Sequence, residues 1–277
     1  MEFHFFHLRR TAGRAFVTSA HTPVARDNPV FAIPTGVARF ASAPPMSAQE
    51  FAPGLVIQRF TPPLALAQFK AIAFDMDSTL ISIECIDEIA DAVGKKAEVA
   101  AITEAAMRGE ITDFKDSLRR RVALLKGVPA ESLQEVYDQR LKINPGAPEL
   151  INAAKAAGLQ TLLVSGGFTF FADRVKARLG MHEAHSNTLE IEGGLLTGRV
   201  LGDIVDGEAK KQHLLRLCAR IGCDPSQSIA VGDGANDLLM MGVSGLSVAY
   251  HAKPKVREQA MVAINDGGLD RVLELLA

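Results

Sequence analysis

The sequence predicts an α/β fold: a Rossmann-like parallel sheet with helices on both faces, carrying an inserted helical cap. Three observations predict it. From Lys70 onward, short apolar runs alternate with stretches of helical spacing. Gly158, Gly180 and Gly222 fall just after helical stretches, where a left-handed cap ends a helix. Glu84 to Lys142 is long, rich in Ala, Glu and Arg, and free of strand pattern.

Taken in order, the strands are Ala71–Phe74, Thr161–Val164, Ile229–Val231, Leu246–Ala249 and Val262–Ile264. Each is a continuous apolar run of the kind buried on both faces of a parallel sheet. The intervening helices are Ala147–Ala157, Thr169–Leu179, Lys210–Ile221 and Lys253–Met261. Asn187–Val200 differs, because two strand-like runs flank Gly193-Gly194, and it reads as a hairpin decorating the sheet. Gly94, Gly109 and Gly127-Val-Pro129 divide the helical insert. The predicted division is a core of residues 46–82 and 145–277 with a cap of residues 83–144 between.

Chemistry gathers at strand ends, where ligands bind in open α/β sheets. The first strand runs into Asp75-Met76-Asp77-Ser78-Thr79, and side chains two apart on extended chain face the same way, so Asp75 and Asp77 share a side. Paired carboxylates repel one another and invite a divalent cation; without other support the segment also reads as a helix-capping turn. A second acidic turn, Gly232-Asp233-Gly234-Ala235-Asn236-Asp237, follows another strand. Ser165-Gly166-Gly167 ends a third and offers a hydroxyl and amides to phosphate oxygens. Lys210, alone a solvated helix lysine, is the cation such a site lacks.

Together these four motifs, in this order, resemble those of the haloacid dehalogenase-like phosphohydrolases, over roughly residues 68–277, and within them the branch acting on phosphoserine. Glu84-Cys-Ile-Asp-Glu, Phe114 with Arg121, and Ala249-Tyr-His-Ala-Lys-Pro-Lys strengthen the match. Met107 to Phe114 is one residue longer than the family pattern. The resemblance implies an HAD-like core and a phosphoric monoester hydrolase that releases serine and phosphate as the last step of serine biosynthesis. Asp75 would be the nucleophile, forming an aspartyl-phosphate, and Asp77 the proton donor and acceptor. Mg²⁺ would be held by Asp75, Asp77 (through its backbone carbonyl) and Asp233, with Asp237 behind them orienting the lysine. Ser165, Gly166, Lys210 and Asn236 would hold the phosphoryl end, and Glu84, Phe114 and Arg121 the serine end. Taken without the family, Glu84 and Arg121 read as surface ion-pair residues. Transfer of the phosphoryl group to another small alcohol, such as homoserine, is the alternative within the family. A metal-dependent glycosyltransferase leaves Ser165, Lys210 and the Asp233 turn unexplained, and a phosphate-accepting receiver module carries no helical insert.

Composition fits a small-molecule enzyme. A net charge of -2 from 30 basic and 32 acidic residues gives no footprint for nucleic acid or an anionic membrane surface. No apolar run approaches the roughly 20 residues of a membrane span, and no protein partner is implied. The three cysteines, Cys85, Cys218 and Cys223, form no disulfide framework and point to the cytoplasm. His182 and His185 read as a solvated turn. Residues 1–45 stand apart, holding six of the 14 Phe without period and five Arg against Glu2 and Asp27. They are expected to lack stable structure, either as a transit peptide or as an extension upstream of a start at Met46.

Overall fold

The computed structural model describes residues 47–107 and 110–277; the expectation for residues 1–45 lies outside the described residues. Nine strands form one sheet: β1 (Gln49–Ala52), β2 (Leu55–Ile57), β3 (Ala71–Phe74), β4 (Gln160–Phe168), β5 (Glu183–Glu192), β6 (Leu195–Leu201), β7 (Ser228–Gly232), β8 (Leu246–Tyr250) and β9 (Val262–Ile264). Their order is β1-β2-β9-β8-β7-β3-β4-β5-β6. The stretch from β9 to β5 is parallel, and antiparallel pairs close both edges. Every predicted parallel strand is present.

The apolar strands divide their side chains between two cores. On β3, Ile72 and Phe74 join one cluster while Ala71 and Ala73 join the other. Helices α5 (Ala147–Ala156) and α6 (Thr169–Leu179) cover the first face with Leu150, Ile151, Phe171 and Val175. Helices α7 (Gly207–Ile221), α8 (Leu238–Met241) and α9 (Pro254–Gln259) cover the second with Leu214, Leu217, Met240 and Val256. Small residues on the strand face beneath α7 let that helix lie close to the sheet. This brings Lys210, in its first turns, beneath the strand ends.

Between β3 and α5 the chain passes through α1 (Cys85–Ala92), α2 (Lys96–Met107), α3 (Phe114–Ala123) and α4 (Glu131–Gln139), with no strand among the described residues of that stretch. Its two junctions lie side by side: Ser82 N–H donates to the Lys142 carbonyl at 3.0 Å and Asn144 N–H to the Leu80 carbonyl at 2.9 Å. The Asn144 side-chain amide adds bonds to the Thr79 and Ile81 carbonyls at 2.8 and 3.1 Å, clasping both passages.

Three expectations need correction. The β1–β2 ribbon was not foreseen; β2 has three residues and β1 is exposed, so neither carries a periodic signal. Asn187–Val200 is more than an ornament: β5 starts at Glu183 as a member of the parallel sheet, and the far end of the hairpin is bonded to the insert. Gly127 N–H donates to the Leu196 carbonyl and Leu196 N–H to the Val128 carbonyl, both at 2.8 Å. His185 lies not in a turn but in β5, stacked on His213, while His182 is exposed in the bend before it, its Nδ1 accepting from Thr161 N–H at 3.0 Å.

Candidate active site

Asp75 sits directly after β3 and caps the turn beyond it, its Oδ1 accepting from Met76 N–H at 2.7 Å. The same oxygen is 2.8 Å from Lys210 Nζ. Oδ2 accepts no bond from the described residues. The turn Met76–Leu80 carries Ser78 at φ 56, a left-handed conformation that a non-glycine residue adopts at a cost. That twist lets the Ser78 hydroxyl donate to Glu84 Oε1 at 2.8 Å, at the start of α1.

Lys210 is fully buried and bridges two carboxylates, Asp75 at 2.8 Å and Asp237 Oδ1 at 2.7 Å. Asp237 Oδ2 accepts from the amides of Asp233 and Gly234 at 3.2 and 3.0 Å, so both its oxygens are committed to holding the lysine and the acidic turn. Thr79, fully buried and not singled out in the sequence, donates to Asp233 Oδ1 at 3.4 Å. Asp75, Asp233 and Asp237 place one oxygen each within 4.8 Å of the others. Three carboxylates against one ammonium leave two negative charges, the deficit a divalent cation fills, and all-oxygen donors suit a hard one. Asp75 and Asp233 each keep an oxygen that accepts no bond from the described residues, whereas both oxygens of Asp237 already accept one. The Asp77 side chain stands outside this cluster.

The electrostatics reflect crowding. Burial pushes the Asp75 carboxyl well up; the charge of Asp237 adds to this and Lys210 opposes it. Burial, then Asp237, raises Asp233 to about 6. For Lys210 burial acts downward, but the Asp237 and Asp75 carboxylates outweigh it and keep the ammonium charged. Asp77 is raised to about 7, by burial first and then by the charge of Glu84. Its Oδ1 accepts from Cys85 N–H at 3.4 Å, and its Oδ2 lies where a Cβ on Gly167 would come within 2.6 Å, so a larger residue there would displace the carboxyl.

Ser165 is fully buried within β4, which runs on to Phe168 and does not end at Val164 as the sequence suggests, and its Oγ accepts from Gly167 N–H at 2.8 Å. Phe114, at the start of α3, lays its ring tip on Gly166, 2.9 Å from where a Cβ would stand. Next to it, Lys115 Nζ is 3.1 Å from Asp206, the residue capping α7. Arg121, on the same helix, is mostly buried, which lowers its pKa; Asp87, Glu84 and Asp77 oppose that shift. Asp87, missed in the sequence, keeps a buried Oδ1 without a hydrogen bond. Asn236 lies in the turn Ala235–Asp237 against Gly207, and no side-chain bond links it to the other site residues. Asp75, Asp77, Glu84, Ser165, Lys210, Asp233 and Asp237 are thus brought together, with Phe114 and Arg121 reaching in from α3.

Cys85, Cys218 and Cys223 are free. No helix of the described residues is long and apolar enough to cross a membrane.

Comparison with known proteins agrees with this geometry. The family model for haloacid dehalogenase-like hydrolases matches residues 72–242. A phosphoserine phosphatase of a Polaromonas species is 66% identical over 235 residues, 83% of this chain and 100% of that protein. The Haemophilus influenzae phosphoserine phosphatase is 50% identical, over 76% of this chain and 67% of its own. A substrate-bound phosphoserine phosphatase structure superposes with a TM-score of 0.70 at 38% identity, covering 76% of this chain and 99% of that one. On the fold, the strand-end motifs and these matches, the chain belongs to the haloacid dehalogenase-like hydrolase family.

Proposed function

We propose that this chain hydrolyses O-phospho-L-serine to L-serine and phosphate, the last step of serine biosynthesis, through a phosphoryl group carried on Asp75. The observation that supports the reading is a half-buried cation beside acidic groups of the site: Arg121, on α3, interacts electrostatically with Asp87 first, then with Glu84 and Asp77. A cation and an anion so placed match the carboxylate and ammonium of the serine end.

Asp75 Oδ2, the oxygen free of the Met76 and Lys210 contacts, attacks phosphorus as the bond to the serine oxygen breaks. Asp77 protonates that departing oxygen. In the second half it takes a proton from the attacking water while the Asp75–phosphorus bond breaks. A pKa of about 7 suits both tasks at neutral pH. Lys210 and Ser165 hold the non-bridging oxygens; because Ser165 Oγ already accepts from Gly167 N–H, its own proton is left to donate. Asp75 and Asp233 would hold Mg²⁺, with the Asp77 backbone carbonyl, and the ion supplies charge that offsets the repulsion between carboxylate and phosphate. Residues 83–144 act as a lid on a core of residues 46–82 and 145–277, excluding bulk water from the acyl phosphate. Free thiols suit a reducing compartment, the cytoplasm.

The test is phosphate release from phosphoserine, phosphothreonine and p-nitrophenyl phosphate with Mg²⁺ present. Phosphoserine should be the preferred substrate and Asp75→Asn should abolish turnover of all three. Retained turnover in Asp75→Asn removes the nucleophile assignment, and absence of a phosphoserine preference removes the substrate.

A further inference from the structure

The parallel pairing of β4 with β5 is interrupted at the site. Val164 pairs with His185 and Phe168 with Asn187, so Ser165, Gly166 and Gly167 bulge out opposite a single residue. A bulge re-aims side chains and breaks the local hydrogen-bond ladder. It therefore turns Ser165 and Gly166 toward the phosphoryl position, and it also leaves their backbone in need of partners. One side chain meets that need. Asn187, 1% exposed, donates from Nδ2 to the Gly166 carbonyl at 2.7 Å. Its Oδ1 accepts from Val205 N–H at 2.8 Å. The donor on one side and the acceptor on the other fix the orientation of the amide.

Val205 adjoins Asp206, which caps α7 by accepting from Ala209 N–H at 2.9 Å and pairs with Lys115 of the insert at 3.1 Å. Gly166 is where the Phe114 ring of the insert lands. Asn187 thus joins the bulge to the segment that starts the Lys210 helix, and both joined points carry contacts from α3.

We propose that Asn187 is a positioning residue that holds the Ser165–Gly166 bulge in register with the start of α7, so that the two halves of the phosphoryl grip, Ser165 and Lys210, form one rigid cradle. The inference rests on the reading that these residues grip a phosphoryl group, but not on serine being its other end. Without the amide, the Gly166 carbonyl and the Val205 N–H are both orphaned and the bulge is free to relax.

The test uses the full chain with Mg²⁺ and orthophosphate as the probe. Asn187→Ala should weaken inhibition by orthophosphate at least tenfold. It should lower kcat/KM for phosphoserine and p-nitrophenyl phosphate by the same factor, since both share the phosphoryl end. Asn187→Asp, which still accepts from Val205 N–H but cannot donate to Gly166, should show the same loss. In the unaltered protein, saturating orthophosphate should slow hydrogen exchange at the Val205 amide at least tenfold, a readout that needs no variant to fold. A folded Asn187→Ala protein with unchanged orthophosphate inhibition, or Val205 exchange indifferent to orthophosphate, overturns the proposal. A protein that hydrolyses p-nitrophenyl phosphate but not phosphoserine would instead refute the substrate reading and leave this one standing.

Discussion

On the proposed reading, replacing Arg121 by Ala should separate recognition of the serine end from chemistry at phosphorus. Truncating one partner of a buried, charge-paired contact costs about 2 to 5 kcal/mol. The structure selects the lower part of that range, because the guanidinium already interacts with Asp87, Glu84 and Asp77 before any substrate carboxylate arrives. A loss of about 2 to 3 kcal/mol is about 30- to 150-fold in kcat/KM for phosphoserine. p-Nitrophenyl phosphate has no carboxylate and should register only the loss of a positive charge near Asp77, a few-fold change. Arg121→Lys keeps the charge without the planar fork and should fall between. The assay is steady-state phosphate release for both substrates, with circular dichroism to verify folding. Equal losses on the two substrates would refute the assignment of Arg121 to the carboxylate.

Three further outcomes are expected. Lys210→Met leaves two buried carboxylates facing one another and should cost about 3 to 5 kcal/mol in urea unfolding at pH 8 with chelator present. The Asp75 carboxyl titrates above its unfolded value, so this penalty is absent at low pH and grows as pH rises; an equal cost at pH 5.5 and pH 8 would count against it. Gly167→Ala drives a methyl group to 2.6 Å from Asp77 Oδ2 and 3.1 Å from Ser165 Oγ and should lower kcat at least tenfold; unchanged kcat would contradict the placement of Asp77. His213 is lowered to about 4, by burial first and then by the charge of the stacked His185, so the unfolded chain takes up its proton first and stability is lost as pH falls from about 6.5 to about 4. Thermal melts of His213→Gln across that window should decline less steeply than those of the unaltered protein, and parallel curves would refute the linkage.

What the sequence disclosed and what it hid divide along a physical line. The parallel strands were legible because burial on both faces leaves continuous apolar runs such as Ala71–Phe74, and Asp75, Asp233 and Ser165 because each ends such a run. The β1–β2 ribbon escaped because its edge strand is exposed; the Pro53-Gly54 turn between Phe51 and Leu55 was the available signal. Asn187, Thr79 and Asp87 were hidden for a different reason. A polar residue in an amphipathic element reads as a solvent-facing position, and only tertiary contact turns it inward.

The same line explains how the site is built. Asp75, Asp77 and Ser165 are placed by local geometry, a strand end and the turn or bulge beside it, so changing them alters chemistry where they stand. Lys210 and Asp237 depend on one another across 27 residues, and Asn187 joins a bulge to a helix start 18 residues on. These long-range bonds are buried, where an unpaired partner costs most, so they hold the strand ends in register even before a cation arrives. The insert meets this assembly through Phe114 on Gly166 and Lys115 on Asp206, the first a packing contact and the second a partly exposed ion pair of about 0 to 1 kcal/mol. The insert is also tied to the β5–β6 hairpin, where Gly127 N–H donates to the Leu196 carbonyl and Ala130 N–H to the Gly194 carbonyl, both at 2.8 Å. On the proposed reading, a serine end held between Arg121 and Glu84 would add to these contacts and so couple substrate binding to exclusion of water.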